Sequence, residues 1–183
     1  DSILKVSRRD YLQLKDNETS LHGLNVEWDR NVLVMGDLND EPWDRSVMDF
    51  LNAGFSLDHI EEPIRFSRGS LPSFKSYASR SPSLYNPMWS LLDQPDRGTY
   101  YYSQATQSMK MLDQFLLSRG LLYGRQGLQV RCADAGIPEV DIFRPGIMST
   151  RKWRPREFQR ENHSGYSDHF PITTTLDLRP DTV

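Results

Sequence analysis

The apolar run Val32-Leu33-Val34-Met35 stops at Gly36, and a run this short, closed by glycine, predicts a strand buried on both faces. Such a strand needs cover on two sides, so it constrains the fold more than any other segment. Val47, Phe50 and Leu51 follow at helical spacing. They predict a helix over residues 44–53, with Gly54 placed to stop it at its C′ position.

Residues 57–95 are broken by Pro63, Pro72, Pro82, Pro87 and Pro95 and read as irregular. Phe66, Phe74, Tyr77, Tyr85 and Trp89 punctuate this stretch, so it reads as a packed surface segment rather than a free linker. Within it, a short helix is expected over 86–92, with Asn86 as cap and Pro87 at the first position. Strands are predicted at 99–103 and 109–118, joined at hairpin length by 104–108, and again at 128–132 and 171–178. Residues 8–28 are polar, and the spacing of Tyr11, Leu12 and Leu14 permits one short helix. There is no repeat, no heptad and no domain boundary, so residues 1–183 are read as a single domain.

A chain of 183 residues is long enough to bury roughly 70% of its unfolded surface. No stretch approaches the roughly 20 apolar residues of a membrane span. The net charge of −3 argues against a protein that coats nucleic acid by global charge. Locally the balance reverses. Arg144, Arg151, Lys152, Arg154, Arg156 and Arg160 stand against Glu157 and Glu161, an excess of +4. This is either a solvated loop or a phosphate-facing one. Trp153, Phe158 and Tyr166 beside it either pack within the loop or stack on bases. The lone Cys132 excludes an internal disulfide. The chain opens at Asp1, without Met or a charged-then-apolar leader pattern, and so reads as a mature or cut piece of something longer.

Three short segments carry chemistry. Gly36-Asp37-Leu38-Asn39-Asp40-Glu41-Pro42 places a carboxylate and an amide two residues apart past a strand end; a local Asx turn would also explain them. Met109-Lys110-Met111-Leu112-Asp113-Gln114-Phe115-Leu116-Leu117-Ser118 sets a carboxylate in an apolar strand, where burial demands a partner. On an edge strand it would simply face solvent. Gly165-Tyr166-Ser167-Asp168-His169-Phe170-Pro171-Ile172 places an Asp and a His side by side at a loop-to-strand junction. The Asp can aim at a cation and the His at a leaving oxygen. The segments are too far apart for any local turn to link all three.

Taken in order, Gly-Asp-x-Asn, Leu-Asp-x-Phe-Leu and Ser-Asp-His resemble the C-terminal signature of the endonuclease/exonuclease/phosphatase superfamily, the deoxyribonuclease-I-like fold, over residues 32–178. The resemblance implies an α/β fold of two facing β-sheets with helices outside, of which this chain supplies the C-terminal half, one sheet and its covering helices. It implies a divalent-metal-dependent phosphodiester hydrolase using Mg2+ or Mn2+. Asp37 matches the water-activating base and a metal contact, Asn39 the amide that orients it or a phosphoryl oxygen. His169 matches the His that stabilises the phosphoryl transition state, Asp113 the partner that fixes its ring, and Asp168 a metal-positioning carboxylate. The chemistry agrees: phosphoryl transfer is mostly positioning and neutralisation of developing charge.

The chain also departs from the family pattern. Nothing before Val32 matches the early Asn or the metal-binding Glu; Glu18 and Glu27 lie in polar context, and His22 does not stand where the family has a mid-domain His. Where many family nucleases carry an Arg two before the third-motif Asp, this chain has Met111, with Lys110 one earlier. The implied partners are a phosphate-ester substrate, nucleic acid included, and either the missing N-terminal half or a second copy to cover the sheet. Weak activity is expected of the fragment alone. The alternatives are a phosphomonoesterase or phospholipid phosphodiesterase of the same superfamily, or a non-catalytic interaction module.

Overall fold

The computed structural model describes residues 30–61, 83–93, 97–103, 107–124, 126–133, 137–144 and 154–179. The short helix expected near Tyr11–Leu14 and the aromatics Phe66, Phe74, Tyr77 and Trp153 lie outside these residues.

Four strands form the central sheet: β1 (Leu33–Asp37), β2 (Ala53–Gly54), β3 (Leu84–Tyr85) and β6 (Asp113–Leu117), in the order β1-β6-β3-β2. β1 and β6 are antiparallel with Leu33 opposite Leu117 and Asp37 opposite Asp113; β2 and β3 are parallel. Three two-stranded ribbons surround the sheet. β4 (Tyr100–Tyr102) pairs β5 (Ser108–Lys110), β7 (Leu128–Val130) pairs β10 (Leu176–Leu178), and β8 (Val140–Ile142) pairs β9 (Ile172–Thr174). Helical structure is sparse: α1 (Leu57–Glu61), α2 (Arg119–Tyr123), a π-helical turn at Ser46–Phe50 and a 3-10 turn at Pro87–Leu91. Strands and helices together place the chain in the α/β class.

Strand β6 carries the core. Leu116 packs with Val47, Ala53 and Leu84 on one face. On the other, Phe115 packs with Met88, Met111, Ile142 and Phe170, and Leu117 with Ile60, Tyr85, Leu121, Leu122 and Val130. Burial on both faces explains its unbroken apolar run.

Several expectations need correction. β1 forms where predicted, but Met35 is 63% exposed, because β1 is the outer strand and one of its faces has less cover than β6. The 44–53 helix shortens to the π-helical turn, and Gly54 lies in β2 rather than capping a helix; pairing with β3 competes successfully with a last helical turn. Residues 109–118 make two strands, since the chain leaves β4 and joins β1 at Met111–Leu112. Residues 171–178 likewise divide at Thr175 between partners β8 and β7. Asn86 does cap the 3-10 turn, its Oδ1 accepting from Met88 N at 3.1 Å. Cys132 is free, and burial, with help from the Glu139 charge, pushes its thiol up. Among the described residues no helix is long and apolar enough to cross a membrane.

Candidate active site

At the end of β1 the chain must turn sharply. Gly36 takes a φ of 136°, a backbone that L side chains rarely adopt. Asn39 follows at a φ of 55°, a left-handed position that Asn tolerates. The turn is closed by Asp37, whose Oδ1 accepts from Asn39 N at 2.9 Å. The local Asx turn is therefore real, and it leaves the Asn39 side chain on the wall of a pocket.

Asp113 begins β6, an inner strand, so the solvent-facing alternative does not hold. It is the register partner of Asp37. Leu38 N donates to Leu112 O and Ser118 N to Val32 O, which makes the Asp37–Asp113 pair one of the non-hydrogen-bonded positions, where side chains stand closest. Two carboxylates there repel each other unless a cation intervenes. The His169 ring stands beside Asp113, its Nδ1 2.7 Å from Asp113 Oδ2. Both side chains are about one-fifth exposed.

His169 is held from several sides. Its amide donates to Ser167 Oγ at 3.0 Å, its backbone bridges Tyr100, and the Tyr100 ring lies 4.8 Å from the imidazole, tilted by 36°. With Nδ1 engaged by Asp113, Nε2 is the ring's other polar atom. The open pocket of about 500 Å³ beside it is lined by Asn39, Asp40, Glu41, Asp44, Tyr100, Tyr102, Lys110, Leu112, Asp168 and His169.

Most pocket carboxylates have structural work. Asp40 accepts from Ser46 Oγ, Asp44 from Glu41 N, and Glu41 pairs with Lys110 Nζ at 2.7 Å. Asp168 is exposed, and its side chain has no partner among the described residues.

The structure thus joins Asp113 to His169 directly, sets Asp37 across from Asp113, and puts Asn39, Asp168 and His169 on one pocket. Sequence reasoning overlooked Tyr100, Glu41 and Asp44 as pocket residues. Glu41 sat inside the quoted signature; for Tyr100 no sequence signal existed, since a tyrosine in a strand is ordinary.

Among the described residues no three His, Cys, Asp or Glu side chains gather as a metal cage. Asp168 lines the pocket, whereas Asp37 does not; both are exposed carboxylates, the hard oxygen donors that a divalent ion keeping most of its waters takes one or two at a time.

The endonuclease/exonuclease/phosphatase family model matches residues 58–178, about two thirds of the chain, and the chain belongs to that family. Asp113, Asp168 and His169 lie within the matched span; Asp37 and Asn39 precede it. No curated protein and no solved structure matches the chain.

Proposed function

We propose that the chain carries the phosphoryl-transfer site of a divalent-metal-dependent phosphodiester hydrolase. The observation that carries this reading is the 2.7 Å Asp113–His169 contact beside a pocket that also holds Asn39 and Asp168. Asp37 takes a proton from water as the water oxygen attacks phosphorus, and the bond to the leaving oxygen breaks on the opposite side. Asn39 orients the attacking group or a phosphoryl oxygen. His169 presents a proton and positive charge toward the phosphoryl or leaving oxygen, where charge grows in the transition state. Asp113 fixes the ring through Nδ1 and sets a carboxylate charge behind it. Asp168 and Asp37 are the residues that would hold Mg2+ or Mn2+, which when bound neutralises phosphoryl charge.

Nucleic acid is the favoured substrate. Arg156 and Arg160 are exposed, and Phe158 and Tyr166 are 52% and 64% exposed, which suits phosphates and stacked bases better than a packed loop. Arg154 is differently used: it lies 3.8 Å over the Tyr101 ring and donates to its hydroxyl at 2.7 Å. Lys110 is occupied by Glu41, so it offers the pocket little net charge. We read the four-stranded sheet as half of a two-sheet sandwich, with a second half or copy over it. Within the sheet, Met35 on the outer strand β1 is 63% exposed and is where such a partner would make contact.

The test is hydrolysis of a simple phosphodiester. Turnover should vanish with chelator, return with Mg2+ or Mn2+, and be lost in Asp37→Asn. Release of phosphate only from monoesters would favour the phosphatase alternative. Metal-independent turnover would remove the assignment, and so would the absence of turnover with any ester once the chain is joined to its N-terminal half, the latter in favour of an interaction module.

A further inference from the structure

Thr99 is fully buried, and it sits where the chain changes partners. Up to Lys110 the strand pairs with β4, and from Asp113 it pairs with β1. At such a crossover the backbone amides between the two ladders lose their strand partners, and buried amides left unpaired are costly. The Thr99 hydroxyl takes both: its Oγ1 accepts from Leu112 N at 3.2 Å and from Asp113 N at 3.0 Å. Its own amide donates to Lys110 O at 2.8 Å, and its carbonyl accepts from Phe170 N at 2.7 Å.

One residue therefore grips the amide of Asp113 and the amide next to His169. The two side chains belong to segments 56 residues apart, and their contact needs both segments at fixed height. We propose that Thr99 is the positioning residue of the Asp113–His169 pair, its hydroxyl setting the Asp113 backbone and its carbonyl setting the His169–Phe170 segment. It touches no substrate. Its catalytic importance rests on the hydrolase reading above; its effect on the pair does not.

Thr99→Val keeps shape and removes the acceptor, whereas Thr99→Ser keeps the acceptor and removes a methyl. Two readouts separate the ideas. The first is the downfield proton resonance of an imidazole Nδ1–H shared with a carboxylate, assigned to His169 by its loss in His169→Gln. It should be present in the wild-type chain and in Thr99→Ser, and lost or exchange-broadened in Thr99→Val. The second is phosphodiester turnover with metal. Thr99→Val should lower kcat roughly tenfold to a hundredfold, the scale of a small misplacement, with KM little changed, and Thr99→Ser should stay near wild type. A Thr99→Val protein that keeps the resonance overturns the proposal, as does equal loss in Thr99→Ser, which would assign the effect to packing. If not even the wild-type chain joined to its N-terminal half turns over, the hydrolase reading fails while the resonance still decides the role of Thr99. If Thr99→Val does not fold, hydrogen exchange on the wild type decides: Leu112, Asp113 and Phe170 amides should be protected together, and fast exchange at Leu112 and Asp113 overturns the proposal.

Discussion

His169 and Asp113 come from segments 56 residues apart, yet their side chains meet at 2.7 Å. A pair of this kind acts as a unit: removing the ring removes the reason for the carboxylate. His169→Ala should lower kcat by roughly 10²–10⁴-fold and affect substrate affinity less, because its charge counts most as phosphoryl oxygens become more negative. Asp113→Asn keeps a hydrogen-bonding group but loses the carboxylate charge beside the His169 ring, so much of the same loss should appear. The double variant should then fall close to His169→Ala alone. Turnover of the four proteins in that cycle checks this, and additive losses would end the role given to Asp113. The sequence showed both residues, through motifs that place a carboxylate in an apolar strand and a His at a strand junction. It did not show the across-sheet pairing of Asp37 with Asp113, which depends on register.

Among the elements, the 3-10 turn at Pro87–Leu91 does more than fill space. Asn86 caps it through Met88 N and donates to Gln114 Oε1 at 2.7 Å, while Gln114 Nε2 donates to Asp40 O at 2.6 Å. Asn86 and Gln114 are fully buried. The turn is thereby tied through β6 to the loop that carries Asn39. Asn86→Ala should remove about 1 kcal/mol of capping and leave a buried Gln114 acceptor unpaired, at about 1–3 kcal/mol. Asn86→Ser should recover only the capping part. Urea unfolding of the three proteins measures both terms, and equal stability of Ala and Ser variants would contradict the capping contribution. The cap was legible from Asn-Pro alone, whereas the link to Gln114 required the fold. A second local constraint is Gly165, at a φ of 89°, where an added Cβ would run into the Glu157 carbonyl.

Over the whole molecule, apolar side chains are unevenly covered. Leu116 and Leu117 are fully buried, whereas Met35, Phe50, Phe55 and Leu178 are 57–80% exposed. Exposed apolar side chains bind apolar probes where they lie together as one patch. The chain should bind a hydrophobic dye under native conditions, and Met35→Ser with Leu178→Ser should reduce that binding without lowering the thermal midpoint, since neither side chain lies in the buried core. A fall in midpoint matching the fall in dye binding would mean these side chains support the fold itself.

The sequence by itself determined the family, strands β1 and β6 of the central sheet but not β2 or β3, and the Asp113 and His169 positions as candidates, because an acid in an apolar strand and an Asn-Pro cap are local statements. Where elements stop was decided by the tertiary structure. Met111–Leu112 breaks one predicted strand and Thr175 another because β-ladders are completed by distant partners. The helix over 44–53 yields to β2 for the same reason. The exposure of Met35 follows from an outer position in the strand order, and the use of Thr99 as a double acceptor follows from a crossover that no local pattern encodes. Hydrogen-bond partners that lie far away in sequence are chosen by packing, and packing exists only in three dimensions.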